Sequence, residues 1–413
     1  MKPQWALIAF LWGCYVLNHA DRQVVYTLFP ALQSEFGLSD AMLGMTGALF
    51  LWIYGLCSPI AGILGDRYPR PLMVTGSLAV WSFCTLLTGF SPNGTVLLVL
   101  RALLGVSESL FMPAAYALMA SAHPPQTRSK AISIFGTSQL VGVAVGGSLS
   151  GWLAEHYHWR IAFWALGIAG MLYALPLYRF LQRVPKSFLS SGANQSANLK
   201  SFLSLFFIPT LRIVTLFVSI ATFGLFLVYT WLPTFLHDKF GLGLARAGVE
   251  SSVYPQIGSA FGLLIGGMLA DKLYLRTTAA RFWIIMSAFF LAGPSIFLLG
   301  NLSSVETVRM AAIAFSFFSG FIFGNQAAAA FDVVPAATRA SSVGVLNLIG
   351  CCVSGFAPFL GGLARRTVGV DRVMVLTGGV YLLTGAIVLY GLLRHFRRDH
   401  EAALAASAPV ERH

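Results

Sequence analysis

Along this chain the apolar residues gather in long runs separated by short polar stretches. A helix needs about 20 apolar residues to cross the hydrocarbon of a bilayer. Runs of that order lie at roughly 5–30, 41–65, 72–91, 95–119, 130–153 and 161–182 and, after a polar interval, at roughly 208–236, 248–270, 282–300, 306–330, 338–363 and 371–393. The pattern predicts an all-α membrane protein with twelve transmembrane helices in two six-helix pseudo-repeats. It sets an N-terminal domain at 1–182, a cytoplasmic linker at 183–207, a C-terminal domain at 208–394 and a cytoplasmic tail at 395–413. The first run is too long for a signal-peptide core and lacks a small-x-small cleavage site, so it is expected to persist as the first span. The linker, rich in Ser, Asn and Gln, reads as flexible. The short, charged, Ala-rich tail reads as mobile.

The polar positions between the runs repeat. Gly62-Ile-Leu-Gly-Asp66-Arg67 closes the second run, and Gly267-Met-Leu-Ala-Asp271-Lys272 closes the eighth, 205 residues later in a chain of 413. Thr127-Arg128 before the fifth run is matched by Thr338-Arg339 before the eleventh. A signature recurring at half-length is the mark of a transporter built from two related halves that rock about a central site. The fifth run carries Gly142, Gly146, Gly147 and Gly151, two small-xxx-small pairs that predict close approach of another helix.

Charge predicts an orientation and removes several classes of function. Only 10% of residues are charged and 57% are hydrophobic, against roughly 25% charged in soluble domains. The net charge is +12. With the amino terminus inside, cytoplasmic segments hold 18 of the 27 Lys and Arg, outer segments hold 7, and Arg22 and Arg101 lie within spans. That bias places both termini in the cytoplasm, with the group around Arg365, Arg366 and Arg372 as its one exception. No basic stretch interleaves with aromatics as a nucleic-acid groove requires. Cys14, Cys57, Cys84, Cys351 and Cys352 fall inside apolar runs without metal-type spacing and read as packing residues. There is no phosphate-binding loop, zinc-protease motif or nucleophile elbow, and the linker is too short to hold a nucleotide-binding module, so no enzyme, cofactor or metal site is expected.

The candidate chemistry lies in ionisable residues at bilayer depth, which cost at least ~2.5–3.5 kcal/mol each on insertion scales and are functional candidates by default. Asp21 and Arg22 lie in the first span, Arg101 and Glu108 in the fourth. At 1.5 Å per residue, Asp21 and Arg22 fall roughly 15 Å below the outer surface, Arg101 roughly 9 Å and Glu108 roughly 20 Å. Asn18, Arg22 and Tyr26 share one helix face, as do Arg101 and Glu108. If these faces meet, two acids and two arginines form a neutral quartet. Either it pins two helices together, or Glu108, with Asp21 as second candidate, takes up a proton while Arg22 and Arg101 receive an anion. Moving an arginine away from a carboxylate changes its proton affinity. The second half has no comparable charges. Its candidate substrate contacts are Tyr229, Tyr254, Gln256, Asn325 and Asn347, with Trp231 and Gln326 beside them.

These motifs resemble the major facilitator superfamily, whose second-to-third helix loop reads G-x-L-x-D-R/K-x-G-R-R/K, as Gly62–Arg70 nearly does. Asn18-His-Ala-Asp21-Arg22, followed by Glu35-Phe-Gly-Leu-Ser-Asp40 and by Arg101-Ala-Leu-Leu-Gly105-Val-Ser-Glu108, resembles the Spinster-like branch. Trp159-Arg160-x-x-Phe163 and Trp231-Leu-Pro233-Thr-Phe235 are similar to patterns of the anion:cation symporters. The chain departs from these patterns at His19 (Tyr in the Spinster-like branch), at Pro69 and Pro71, and at Ser148, where drug antiporters carry Pro. The resemblance implies coupling through Asp21, Arg22 and Glu108. It also implies a cytoplasmic latch at Asp66 acting through Arg67 and Arg339, with Arg70, Arg128, Asp271 and Lys272 in the same gating layer. The expected function is proton-coupled symport of a small organic anion by alternating access in a bacterial inner membrane. The expected partners are substrate, protons and lipid, and the protein is expected to act as a monomer without nucleic acid. The alternatives are a Spinster-like exporter of a lipid or lysolipid and, from another class, a non-transporting receptor or scaffold.

Overall fold

A computed structural model describes residues 3–185, 205–335, 338–365 and 367–407, with the backbone alone at several positions including Asp66 and Arg67. The predicted latch side chains Asp66 and Arg67, most of the linker, the last residues of the tail and Arg366 thus lie outside the described residues.

The long apolar runs are helices. In chain order they are α1 (Pro3–Thr27), α2 (Phe29–Phe36), α3 (Asp40–Arg67), α4 (Arg70–Thr88), α5 (Gly94–Ser109), α6 (Phe111–Ala122), α7 (Pro125–His156) and α8 (Trp159–Arg183). After the linker come α9 (Pro209–Phe240), α10 (Leu244–Tyr274), α11 (Ala280–Asn301), α12 (Val305–Phe331), α13 (Arg339–Ser354), α14 (Phe356–Arg365), α15 (Val370–Gly391) and α16 (Arg397–Ser407). Polar side chains set several starts: Ser39 caps α3 by accepting from the Met42 amide, and Asn93 caps α5 by accepting from that of Val96. Gly37, at φ 61°, ends α2 in a left-handed conformation that a side chain would strain.

Among the described residues, eleven helical segments are long and apolar enough to cross a membrane. Helix α1 is not one of the eleven. Its 25 residues suffice in length, but Asn18, His19, Asp21, Arg22 and Gln23 make its second half polar. Three predicted runs are broken by one cause. A proline ring clashes with the carbonyl four residues before it, and Pro30, Pro113 and Pro358 fall so that α1 stops at Thr27, α5 at Ser109 and α13 at Ser354. The break after α5 comes immediately beyond Glu108.

The helices pack as two compact units. One comprises 1–194, 226–256 and 355–370; the other comprises 195–225, 257–354 and 371–413. The first unit holds α1 to α8, the C-terminal half of α9, the N-terminal part of α10, and α14. Its core runs through Trp81, Phe111 and Phe135, with Tyr15 stacked on Phe135 at 4.6 Å. The glycine stripe of α7 makes the predicted close contact. A Cβ at Gly146 would lie 2.6 Å from Ala20 of α1, and one at Gly151 would run into the Leu244 carbonyl of α10. Within a bilayer, where lipid is as apolar as side chains, such close backbone packing is a main source of helix association.

In the second unit the tail departs from the expectation of a mobile segment. After a π-helical stretch, Leu392–Phe396, α16 docks onto the bundle. Asp399 accepts from the Thr210 amide (2.9 Å) and hydroxyl (2.7 Å), capping the start of α9. His400 bonds the Asp332 carbonyl at 2.6 Å.

Candidate functional site

Helices α1 and α5 bring the midplane charges together in the first unit. Arg22 Nε donates to Glu108 Oε2 at 2.6 Å, with the Glu108 side chain fully buried and that of Arg22 14% exposed. The predicted faces therefore meet, and α3 completes the setting. The Arg22 guanidinium lies 4.9 Å from the ring centres of both Phe50 and Tyr54. Its Nη atoms donate to no described residue.

The other two members of the predicted quartet are arranged differently. Arg101, 1% exposed, donates from Nε to the Thr46 carbonyl (3.3 Å) and from Nη1 to the Asp21 carbonyl (3.4 Å), with its guanidinium 5.1 Å from the Phe50 ring. It thus bonds main chain and no carboxylate among the described residues. The Asp21 side chain is directed toward Thr85 and Trp81 of α4, although none of these polar atoms completes a hydrogen bond among the described residues. Adjacent residues on a helix point about 100° apart, so Asp21 reaches toward α4 while Arg22 lies against Phe50 and Tyr54, with Glu108 near both.

Around the ion pair stands a band of buried neutral polar groups. Asn18 lies beside Glu108, and Tyr26 beside Thr230. The amide of Asn18, the hydroxyls of Tyr26, Thr27 and Thr230, and Glu108 Oε1 have no partner among the described residues. Gln256 Nε2 donates to the Tyr229 hydroxyl, and Gln23 Nε2 to the Tyr229 carbonyl. Tyr254, half-buried, belongs to the same unit. Buried polar atoms left without protein partners suit a site that takes a polar solute. Asn325 and Asn347 belong to the second unit. Asn325 donates to the carbonyls of Gly266 and Phe321, whereas Asn347 is exposed.

The described gating candidates are also placed. Arg70 is buried and donates to Ser121 Oγ (2.8 Å) and the Ala117 carbonyl. Arg128 donates to the Ala120 carbonyl at 2.9 Å. Arg339 lies 5.7 Å from the Phe331 ring, and Asp271 and Lys272 are exposed. Two features of the site go beyond the sequence expectations. The aromatic pair Phe50 and Tyr54 had a signal, a one-turn spacing at the depth of the charges. The second feature gathers around Arg365, which had counted against the orientation. It donates to Asp40 Oδ1 (2.6 Å), Gln33 Oε1 (3.0 Å) and Asp238 Oδ2 (2.5 Å), joining α14 to α2, α3 and α9. Nearby on the same side, Glu35 accepts from Trp159 (3.3 Å) and Arg160 (2.8 Å). These donors hold its carboxyl below the usual range.

A sequence model of the Major Facilitator Superfamily matches residues 11–358. A hexuronate transporter of Bacillus subtilis (strain 168) is 24% identical over 409 residues, covering 96% of this chain and 94% of that protein. An MFS-type efflux pump of Mycolicibacterium smegmatis (strain ATCC 700084 / mc(2)155) is 27% identical over 417 residues, covering 96% and 94%. The crystal structure of a bacterial homolog to the human lysosomal transporter Spinster, inward-facing and occupied, superposes with a TM-score of 0.82 at 21% identity. It covers 97% of this chain and 99% of that one. At that identity the likeness is one of fold.

Proposed function

Since this chain belongs to the Major Facilitator Superfamily, we propose that it is a secondary transporter carrying a small organic anion together with a proton by alternating access. The observation that carries this reading is the Arg22–Glu108 ion pair, wholly buried at Glu108 and 14% exposed at Arg22. With Glu108 ionised the pair is neutral. A proton on Glu108 leaves the Arg22 charge uncompensated in a low-dielectric setting, which is costly. A substrate carboxylate on the free guanidinium edge restores neutrality. Proton and anion therefore favour one another's binding, and the loaded and empty carrier bear the same charge.

In this scheme Asp21 is the second proton site. Asn18, Tyr26, Tyr229, Tyr254 and Gln256 meet the substrate's hydroxyls, and Arg101 supports Arg22 from behind the Phe50 ring. From the C-terminal half we propose Asn325 and Asn347 as further polar contacts. Helix α1 is the twelfth span, the halves are 1–182 and 208–394, and both termini are cytoplasmic in a bacterial inner membrane. The carrier acts as a monomer. The Arg365 junction closes the outer side. Asp66, Arg67, Arg70, Arg128, Asp271, Lys272 and Arg339 serve the inner side.

The printed name of the hexuronate transporter supports a sugar acid as the substrate class. The test is uptake by purified protein in liposomes, with glucuronate as the anion and a fluorescent lysolipid as its competitor reading. Acid outside should drive glucuronate inward, and a protonophore should stop it. Lysolipid movement without proton-driven glucuronate uptake would replace this reading with lipid export.

A further inference from the structure

Phe50 is shared by the two buried arginines of the site. Its ring centre lies 4.9 Å from the Arg22 guanidinium and 5.1 Å from that of Arg101, and Tyr54, one turn along α3, lies 4.9 Å from Arg22. Phe50 is wholly buried. Its backbone is also fixed, because a Cβ at Gly105 of α5 would come within 2.8 Å of the Phe50 carbonyl oxygen. Arg101 is tied in turn to the carbonyls of Thr46 and Asp21. The ring is thus buried on a fixed stretch of α3, against an Arg101 whose hydrogen bonds go to main chain and to neither member of the ion pair.

The chemistry of position 50 is selective. A carboxylate there would bind Arg22 outright and cancel the charge that an anion must find. An aliphatic side chain would leave the guanidinium face against bare hydrocarbon, free to turn both of its edges onto Glu108. An aromatic ring presents a negative face to a cation but accepts no strong hydrogen bond, so it orients the guanidinium plane without neutralising it.

We propose that Phe50, backed by Tyr54, is a positioning residue that presents Arg22 to the anion, keeping Nε on Glu108 and the Nη edge open. This rests on the anion-transport reading above.

Two substitutions separate the ring from its volume. Phe50→Met keeps an apolar side chain of similar size, and pentafluorophenylalanine incorporated at position 50 keeps the shape while removing the ring's negative face. Each variant is purified as the full chain and checked for a monodisperse profile. In both, the KM for proton-driven glucuronate uptake should rise about tenfold or more, the size of a desolvated cation–π contact, with turnover changed less. A second readout needs no substrate. Phenylglyoxal reacts across the two Nη atoms of an arginine, and mass spectrometry reads its addition to Arg22. Labelling should be rapid in the wild type and slower by several-fold in both variants, as the guanidinium folds onto Glu108. Fluorination leaves packing intact, so a purely structural Phe50 predicts wild-type values for that variant, and this result would overturn the proposal. A wild type that fails to accumulate glucuronate would overturn the transport reading instead, and the labelling rates would then decide the positioning.

Discussion

Glu108→Gln tests the coupling most directly. The change keeps size and leaves a carbonyl oxygen that can still accept from Arg22 Nε, now 2.6 Å from Glu108 Oε2. It removes the charge and the ability to release a proton. A hydrogen bond to a charged group contributes about 1.5–3 kcal/mol, and the amide keeps part of that, so the variant should fold. Arg22→Ala strands the carboxylate, and losing one partner of a buried pair costs roughly 3–5 kcal/mol. In the wild type, a pH difference of one unit without voltage supplies about 1.4 kcal/mol per proton, enough for about tenfold accumulation of a monoanion at one proton each. In Glu108→Gln the accumulation ratio should fall to about one, while exchange of labelled for unlabelled substrate persists, since exchange moves no net proton. Arg22→Ala should lose both activities. The assay is paired: gradient-driven uptake and counterflow in the same liposomes, normalised to folded protein. A static pin between α1 and α5 predicts equal loss in both assays for both variants. Accumulation against the gradient by Glu108→Gln would refute the assignment and move attention to Asp21.

Further outcomes follow from other parts of the molecule. Asp40→Asn leaves Arg365 with Asp238 and Gln33 alone, so a distance probe across the outer ends of α3 and α14 should report a several-fold larger open population; an unchanged distance distribution would remove Arg365 from the outer closure. Cysteines placed at Asn93 and Arg397 should react with an impermeant thiol reagent from outside and from the cytoplasm respectively, and reversed labelling would invert the proposed topology. Trp159 and Arg160 depress the Glu35 carboxyl, so the folded state binds that proton less readily than the unfolded chain does. The stabilisation is present above the ordinary carboxylate range and is lost on acidification through the lowered value. The apparent Tm of the wild type should therefore fall more steeply below pH 5 than that of Glu35→Gln, and parallel curves would contradict the link. Asp399→Ala removes the cap on α9 and should release α16, read as rapid amide exchange over residues 397–407.

The helical content and most of the spans were legible in the sequence because the constraint behind them is local. A segment in hydrocarbon must satisfy its own backbone hydrogen bonds, so about 20 apolar residues imply a helix whatever surrounds them. The breaks at Thr27, Ser109 and Ser354 were equally local, written in Pro30, Pro113 and Pro358, but apolar runs that pass straight through the prolines concealed them. A buried charge needs a partner, which is why Arg22 and Glu108 could be expected to meet. Which way the neighbouring Asp21 points, toward Trp81 and Thr85, depends on how α4 packs beside α1. That Phe50 would serve both arginines depends likewise on how α3 settles against α5. Arg365 looked like a misplaced charge because its acceptors Asp40 and Asp238 lie 325 and 127 residues away, and the tail looked mobile because the helix start it caps is 189 residues distant. Periodicity and residue type report what a segment needs from its surroundings. Which distant side chain meets that need is decided only when the helices have packed.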